Sequence, residues 1–191
     1  MSAESDEAIA RRIRDGGPAG FDAFFARFSA QLLGFLLRMV GDRAAAEDLL
    51  QETMLRVFRG IDRYEERGNF RAWVYRIAAN LAVSHLRRAR PFAAEPEALL
   101  LQVRDEHAED PCAGLVRAEE VSVLHDGIAA LPEEQRLVLL LRTGQGLSLA
   151  EIAAALCLPE GTVKSRLHNA VVRLRAHAER VERAHREGSL P

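Results

Sequence analysis

Cysteine is scarce: Cys112 and Cys157 stand alone in 191 residues, with no C-x-x-C pair and no neighbouring His cluster. Neither a disulfide framework nor a zinc site is encoded, and a reducing cytosol fits. The six histidines are scattered without ligand spacing, so no metal and no cofactor is expected. Lysine is nearly absent: of 26 basic residues only Lys164 is lysine. This reads as codon usage, although the planar arginine fork also suits phosphate contacts. No apolar run approaches the roughly 18 residues of a membrane span. The acidic start, Met-Ser-Ala-Glu-Ser-Asp-Glu, has no signal-peptide core. The expectation is a soluble, cytoplasmic protein without membrane insertion. Aromatics make up only 6%, with 13 Gly and 7 Pro. What remains is rich in Ala, Leu, Arg and Glu, all strong helix formers. With 48% hydrophobic and 28% charged residues the chain matches ordinary globular proteins. Its length permits one ordinary domain or two small ones and excludes a large multidomain enzyme.

The net charge of -2 singles out no partner, but its distribution is uneven. Residues 1–90 hold 15 basic and 12 acidic side chains, 91–120 hold 2 and 8, and 121–191 hold 9 and 8. An acidic middle separates two mildly basic ends.

Periodicity divides the chain in the same way. Phe21, Phe25, Phe28, Leu32, Phe35 and Met39 form the apolar stripe of one long helix, stopped by Gly41. Asp42 caps a second, with Leu50, Met54, Val57, Phe58 and Ile61 buried and Asp48, Gln51, Glu52, Leu55 and Arg59 on the other side. A third, from about Phe70 to Arg88, buries Val74, Ile77, Ala78 and Leu81, leaving Arg76, Asn80 and Arg87 polar. From Pro91 to Glu120 the pattern dissolves among prolines and acids, as in a flexible linker. It returns with Val121, Leu124, Ile128 and Leu131, then Pro132 opening a helix that carries Leu137 to Leu141 and breaks at Gly144 and Gly146. Ser148 to Glu151 is a capping box opening a short helix, Cys157-Leu158-Pro159 is a turn, and a last helix runs from about Glu160 into a charged tail. The fold expected is all-α: two small helical domains, 1–90 and 121–191, joined by a flexible acidic linker over 91–120.

Two constellations carry chemistry. Small Ala153 and Ala154 on the short helix face Val163 and Leu167 on the next, the spacing of a helix-turn-helix. The second helix would present Glu160, Thr162, Lys164, Ser165, Arg166, His168 and Asn169 to the major groove, and no acid occurs from Gly161 to Ala178. An alanine-rich hairpin made by packing alone has the same pattern. The other basic segment, Arg67 to Ala94, has six arginines, no acid, and Phe70, Trp73 and Tyr75 interleaved. Charge with rings suits single-stranded nucleic acid, although Trp73 reads better as core than as a base-stacking platform. Taken alone, the polar row Asp48, Gln51 and Glu52 is a solvated helix face.

In combination and in this order, the segments AEDLLQETMLRVFR (Ala46 to Arg59), FRAWVYRIAANLAVSHLRR (Phe70 to Arg88), LPEEQRLVLLLR (Leu131 to Arg142) and LSLAEIAAALCLPEGTVKSRLHNA (Leu147 to Ala170) resemble the extracytoplasmic-function class of bacterial RNA polymerase sigma factors. The resemblance covers nearly all of residues 20–178. It implies a non-catalytic initiation factor whose first domain binds core RNA polymerase and melts the minus-ten promoter element, and whose second reads the minus-thirty-five element. Asp48, Gln51, Glu52 and Leu55 would dock on the clamp helices of the largest polymerase subunit. The loop Arg63 to Asn69 would capture a base flipped from the minus-ten strand, with Tyr64 and Asn69 best suited to it. Arg71, Arg76 and Asn80 would track the non-template strand. Lys164, Ser165, Arg166 and His168 would lie on the recognition helix, with Arg173 on phosphate. The partners implied are core RNA polymerase, promoter DNA and an anti-sigma factor.

The chain departs from the family's usual pattern at Cys157, where many members have Gly, and at Asn169, Val171 and Val172, where basic residues are common. Cys157 itself is expected as a small buried hydrophobe. GTVKSRL also resembles the recognition helix of LuxR-type regulators, but the first 90 residues lack the receiver or ligand-binding domain of that class. A nucleic-acid-processing enzyme finds no carboxylate cluster, phosphate loop or nucleophile–base pair.

Overall fold

A computed structural model describes residues 4–16, 18–65, 69–89 and 123–188. The expected linker, 91–120, and residues 66–68 of the base-capture loop lie outside them. Four helices make up the N-terminal part: α1 (Asp6–Arg14), α2 (Pro18–Val40), α3 (Arg43–Gly60) and, after a 3-10 turn (Ile61–Arg63), α4 (Phe70–Ala89). Among the described residues from 123 on there are four more: α5 (helical over 123–129), α6 (Glu133–Thr143), α7 (Leu149–Leu156) and α8 (Glu160–Gly188). No strand occurs among the described residues. The architecture is two all-helical domains.

Helix α1 was not anticipated from the sequence, yet its signals are present. Ser5 Oγ accepts from the Ala8 backbone N–H at 3.2 Å, Asp6 and Glu7 occupy the first turn, and three arginines lie toward the end. Acids at the positive end and bases at the negative end complement the helix dipole. Ile9, Ala10 and Ile13 are buried against α2. The two helices meet closely at Gly20, where a Cβ would run into the Arg12 carbonyl; only glycine fits.

The buried face of α2 is Phe24, Phe28, Leu32, Phe35, Leu36 and Met39. Phe21 and Phe25, expected in that stripe, are 41% and 49% exposed. A helix turns 100° per residue, so a stripe read from Phe21 through Phe25 drifts off the core face that Phe24 and Phe28 occupy. Phe24 and Phe28 stack edge-on against Phe70 of α4, with ring centroids 6.1 and 5.8 Å away. Truncating either to Ala would cost about 3–5 kcal/mol. By length and mean hydropathy (1.3) α2 is long and apolar enough to cross a membrane, contrary to the sequence expectation. Phe24, Phe28, Leu32, Phe35, Leu36 and Met39 are instead taken up by the core formed with α1, α3 and α4.

On α3, Asp42 accepts from Ala45 N–H at 2.7 Å, and Met54, Val57 and Ile61 are buried as the periodicity required. Leu50 and Phe58 are only half-buried, while Leu49, Ala46 and Thr53 complete the face. In the C-terminal domain Leu137 to Leu141 are all buried, because α6 lies between two neighbours. Leu139 joins Leu131 and Ala170 beneath α8, and the others join the main core. The capping box of α7 is formed in both directions: Ser148 Oγ accepts from Glu151 N–H at 3.2 Å, and Glu151 Oε2 accepts from Ser148 N–H at 2.8 Å. These bonds hold the Glu151 carboxyl below its ordinary range.

The two domains touch. Helix α7 packs on α4, and α6 on α2 and α4, so that Leu147 and Ile152 share a core with Val74 and Phe35. Arg136 of α6 donates to the Met39 carbonyl at 2.8 Å and also to the carbonyls of Ala129 and Leu131.

Candidate functional site

The expected polymerase-docking row is accessible. Asp48, Gln51 and Leu55 are exposed on α3 and Glu52 is half-buried, as the i, i+3, i+4, i+7 spacing requires. Leu55 is 48% exposed, and Glu52 is held by Arg56 at 2.7 Å. An exposed leucine flanked by carboxylates suits a helical partner with an apolar seam and basic flanks.

Around the start of α4 the structure distributes the expected minus-ten residues unequally. Arg76 and Asn80, one helical turn apart, are exposed. Tyr64 is buried: its ring packs 5.1 Å from Trp73 and 5.3 Å from Phe70, and its hydroxyl donates to Glu7 at 2.7 Å. Asn69 is half-buried, its Oδ1 3.4 Å from the same hydroxyl. Arg71 is half-buried too: its Nε donates to Asp6 at 2.8 Å, its Nη1 to Gln31 at 2.8 Å, and its guanidinium lies 5.2 Å above the Phe28 ring. Tyr75 is core; burial pushes its phenol up, and its hydroxyl has no hydrogen-bond partner among the described residues. Trp73 is half-buried and packed on the core. An open cleft of about 470 Å³ lies between this region and the α6–α7 connection, lined by Asp6, Glu7, Arg27 and Arg71 on one side and Leu147 and Glu151 on the other.

Sequence reading missed Asp6, Glu7, Arg14 and Arg27, all bound to this region. The available signal was a Ser-Asp-Glu start followed by Ile9, Ala10 and Ile13, which is a capped amphipathic turn.

On α8, Lys164, Ser165, His168 and Arg173 are exposed, whereas Val163, Leu167 and Ala170 face inward. Arg166 is half-buried and paired with Glu134 of α6 at 2.5 Å. Cys157 ends α7 in the left-handed conformation, φ 54° and ψ 44°, with its N–H reaching the Ala153 and Ala154 carbonyls. It is exposed, which corrects the expectation of a buried side chain. A helix C-cap in this conformation lies at the rim of the turn, where packing does not reach it.

Two family models match in order along this geometry: Sigma-70 region 2 over residues 24–92 and Sigma-70, region 4 over residues 127–176. The RNA polymerase sigma-H factor of Pseudomonas aeruginosa is 32% identical, with 89% of this chain and 92% of that protein covered. The chain is a sigma factor of the sigma-70 family. Further relatives place it in the extracytoplasmic-function class. The ECF RNA polymerase sigma-E factor of Escherichia coli is 30% identical over 87% of this chain and 90% of its own length. The RNA polymerase sigma factor CarQ of Myxococcus xanthus is 35% identical over 86% and 92%. Among solved structures, CnrH in complex with the cytosolic domain of CnrY shares the fold with TM-score 0.68 at 22% identity, covering 92% of this chain and 98% of that one. RpoE of Bartonella quintana, in complex with the anti-sigma factor NepR, gives TM-score 0.66 at 22% identity over 83% and 96%.

The sigma factor therefore directs RNA polymerase to promoters. The region 2 match occupies the part of the chain where a stand-alone LuxR-type regulator would need a different domain.

Proposed function

We propose that the sigma factor divides its work between its domains: residues 1–90 bind core RNA polymerase and open the minus-ten element, 91–120 connect, and 121–191 read the minus-thirty-five element. It catalyses no reaction, acts in the cytoplasm and uses binding energy to hold melted DNA. Asp48, Gln51, Glu52 and Leu55 form the docking row. Arg76 and Asn80 lie ready on the open face of α4. Tyr64 and Asn69 shape the base-capture loop, Tyr64 as an anchored wall, and Arg71, held by Asp6, tracks the non-template strand with Arg76 and Asn80. Lys164, Ser165 and His168 face the major groove, Arg166 reads a base after leaving Glu134, and Arg173 contacts phosphate. The observation that supports the reading best is the simultaneous exposure of these two polar helix faces, on α3 and α4, around a fully buried aromatic core.

The contact between the domains must part when both elements are held. Minus ten and minus thirty-five differ by about 25 base pairs, roughly 85 Å of duplex at about 3.4 Å per pair. A compact chain of this length has a radius of gyration of about 16 Å. Helix α7 cannot rest on α4 across that span. The closed arrangement suits an unloaded factor held by an anti-sigma protein, the kind of partner named for RpoE of Bartonella quintana.

Replacing Asp48 and Glu52 together by Arg tests the docking row. The Glu52–Arg56 pair is exposed, so its loss and the new i, i+4 repulsion cost about 1 kcal/mol or less. The variant stays folded by circular dichroism and loses co-purification with core polymerase. Unchanged co-purification would refute the assignment.

A further inference from the structure

One carboxylate oxygen holds both ends of the loop assigned to base capture. Glu7 Oε1 accepts from the Tyr64 hydroxyl at 2.7 Å and from the Phe70 backbone N–H at 2.8 Å. Tyr64 is the second residue of that loop and Phe70 is the first residue of α4. The first N–H groups of a helix have no partner within it, and a carboxylate there is favoured by the helix dipole. Glu7 thus caps α4 from 63 residues away. A second bond from α1 secures the same loop, because Arg14 Nη2 donates to the Tyr64 carbonyl at 2.9 Å. Asp6, next in the same turn, fixes Arg71 and Arg27 at 2.8 and 3.2 Å. Gly20 allows α1 to lie close enough on α2 for this grip. Helix α1 is outside the matched region 2, which begins at residue 24.

We propose that Glu7 is a positioning residue for minus-ten reading: it sets the spacing of Tyr64 from Phe70 and the orientation of the first turn of α4, and through them base selection in the melted strand. This rests on the assignment of that loop to minus-ten capture. Glu7 touches no DNA in this role. A carboxylate serves better than a neutral group because its hydrogen bonds are about twice as strong. Gln, of the same shape, keeps Oε1 as an acceptor and gives a weaker grip. Ala removes both bonds at once.

The test uses holoenzyme assembled from core polymerase and the full chain, at a promoter selected from a genomic library by transcription in vitro. Heparin-resistant open complexes are measured at that promoter and at single-base variants of each element. Glu7→Ala is expected to lower open-complex formation about tenfold, the scale of one lost charge-assisted bond, and to flatten the penalties for minus-ten substitutions. The penalties for minus-thirty-five substitutions stay as in the wild type, and Glu7→Gln restores most of the minus-ten discrimination. Three results would overturn the proposal: unchanged minus-ten penalties in Glu7→Ala, equal loss of discrimination at both elements, or tighter DNA binding, which would make Glu7 an electrostatic block. A wild-type holoenzyme without minus-ten discrimination would instead remove the loop assignment itself, and the proposal with it.

Discussion

Arg166→Ala separates the pairing with Glu134 from the base-reading role proposed for the same side chain. Arg166 pairs with Glu134 while retaining 24% of its side-chain exposure, and Glu134 retains 68%. A pair this open is worth about 0–1 kcal/mol. Adding the packed stem of a half-buried arginine, the substitution should destabilise the protein by about 1 kcal/mol. At roughly 2–4 °C per kcal/mol for a protein of this size, the midpoint falls by about 2–4 °C. The effect on DNA should be larger and selective. A bidentate arginine–guanine contact discriminates by about 1–3 kcal/mol, roughly 5- to 150-fold at 1.4 kcal/mol per decade. Because Arg166 must leave Glu134 to reach a base, Glu134→Gln should tighten binding, by up to about fivefold. The assay is holoenzyme binding to a promoter series in which each minus-thirty-five position is changed in turn. Relaxed preference at one position is the expected result. A uniform loss would make Arg166 a phosphate contact. No loss, with Glu134→Gln also silent, would leave it as a strap between α6 and α8.

Cys157→Gly should stabilise the chain: a non-glycine residue in the left-handed region costs about 1–2 kcal/mol, glycine returns about 0.5–1 kcal/mol to the unfolded state, and the net gain of about 0.5–1 kcal/mol appears as a higher thermal midpoint. A lower midpoint for Gly than for Cys would show that the turn is not strained. Glu151 carries a pH signature. Its carboxyl is held below the ordinary value of 4.5 by the Ser148 bonds, so its contribution is complete above the unfolded value and disappears as pH falls through the folded one. Urea midpoints of wild type and Glu151→Gln should therefore converge as pH is lowered below about 4.5; a gap that persists at pH 2 would contradict the capping-box account.

The parts of this fold that repeat were legible, and those fixed by contact between distant residues were not. Asp42, the Ser148–Glu151 box and the Gly144–Gly146 break act within a few residues, so each fixed its helix boundary locally. The stripe of α2 was read correctly from Phe28 to Met39 but not at its start, because six of the eight residues from Phe21 to Phe28 are apolar and the packing against Phe70 selects Phe24 over Phe25. The exposure of Asp48, Gln51, Leu55, Lys164, Ser165 and His168 was visible because it follows from helical spacing. Tyr64 and Arg71 were chosen for their chemistry, and nothing near them in sequence reveals that Glu7 and Asp6, 57 and 65 residues earlier, hold them. The pairing of Arg166 with Glu134 was hidden for the same reason: it depends on how α6 crosses α8.

Transcription in vitro tests the central claim most directly. Purified sigma factor, free of any inhibitor, is combined with core RNA polymerase on a genomic promoter library and the start sites are sequenced. The account predicts a small set of starts sharing one minus-ten and one minus-thirty-five sequence, absent with core alone and absent with Asp48→Arg/Glu52→Arg. Starts indistinguishable from those of core polymerase alone would contradict it.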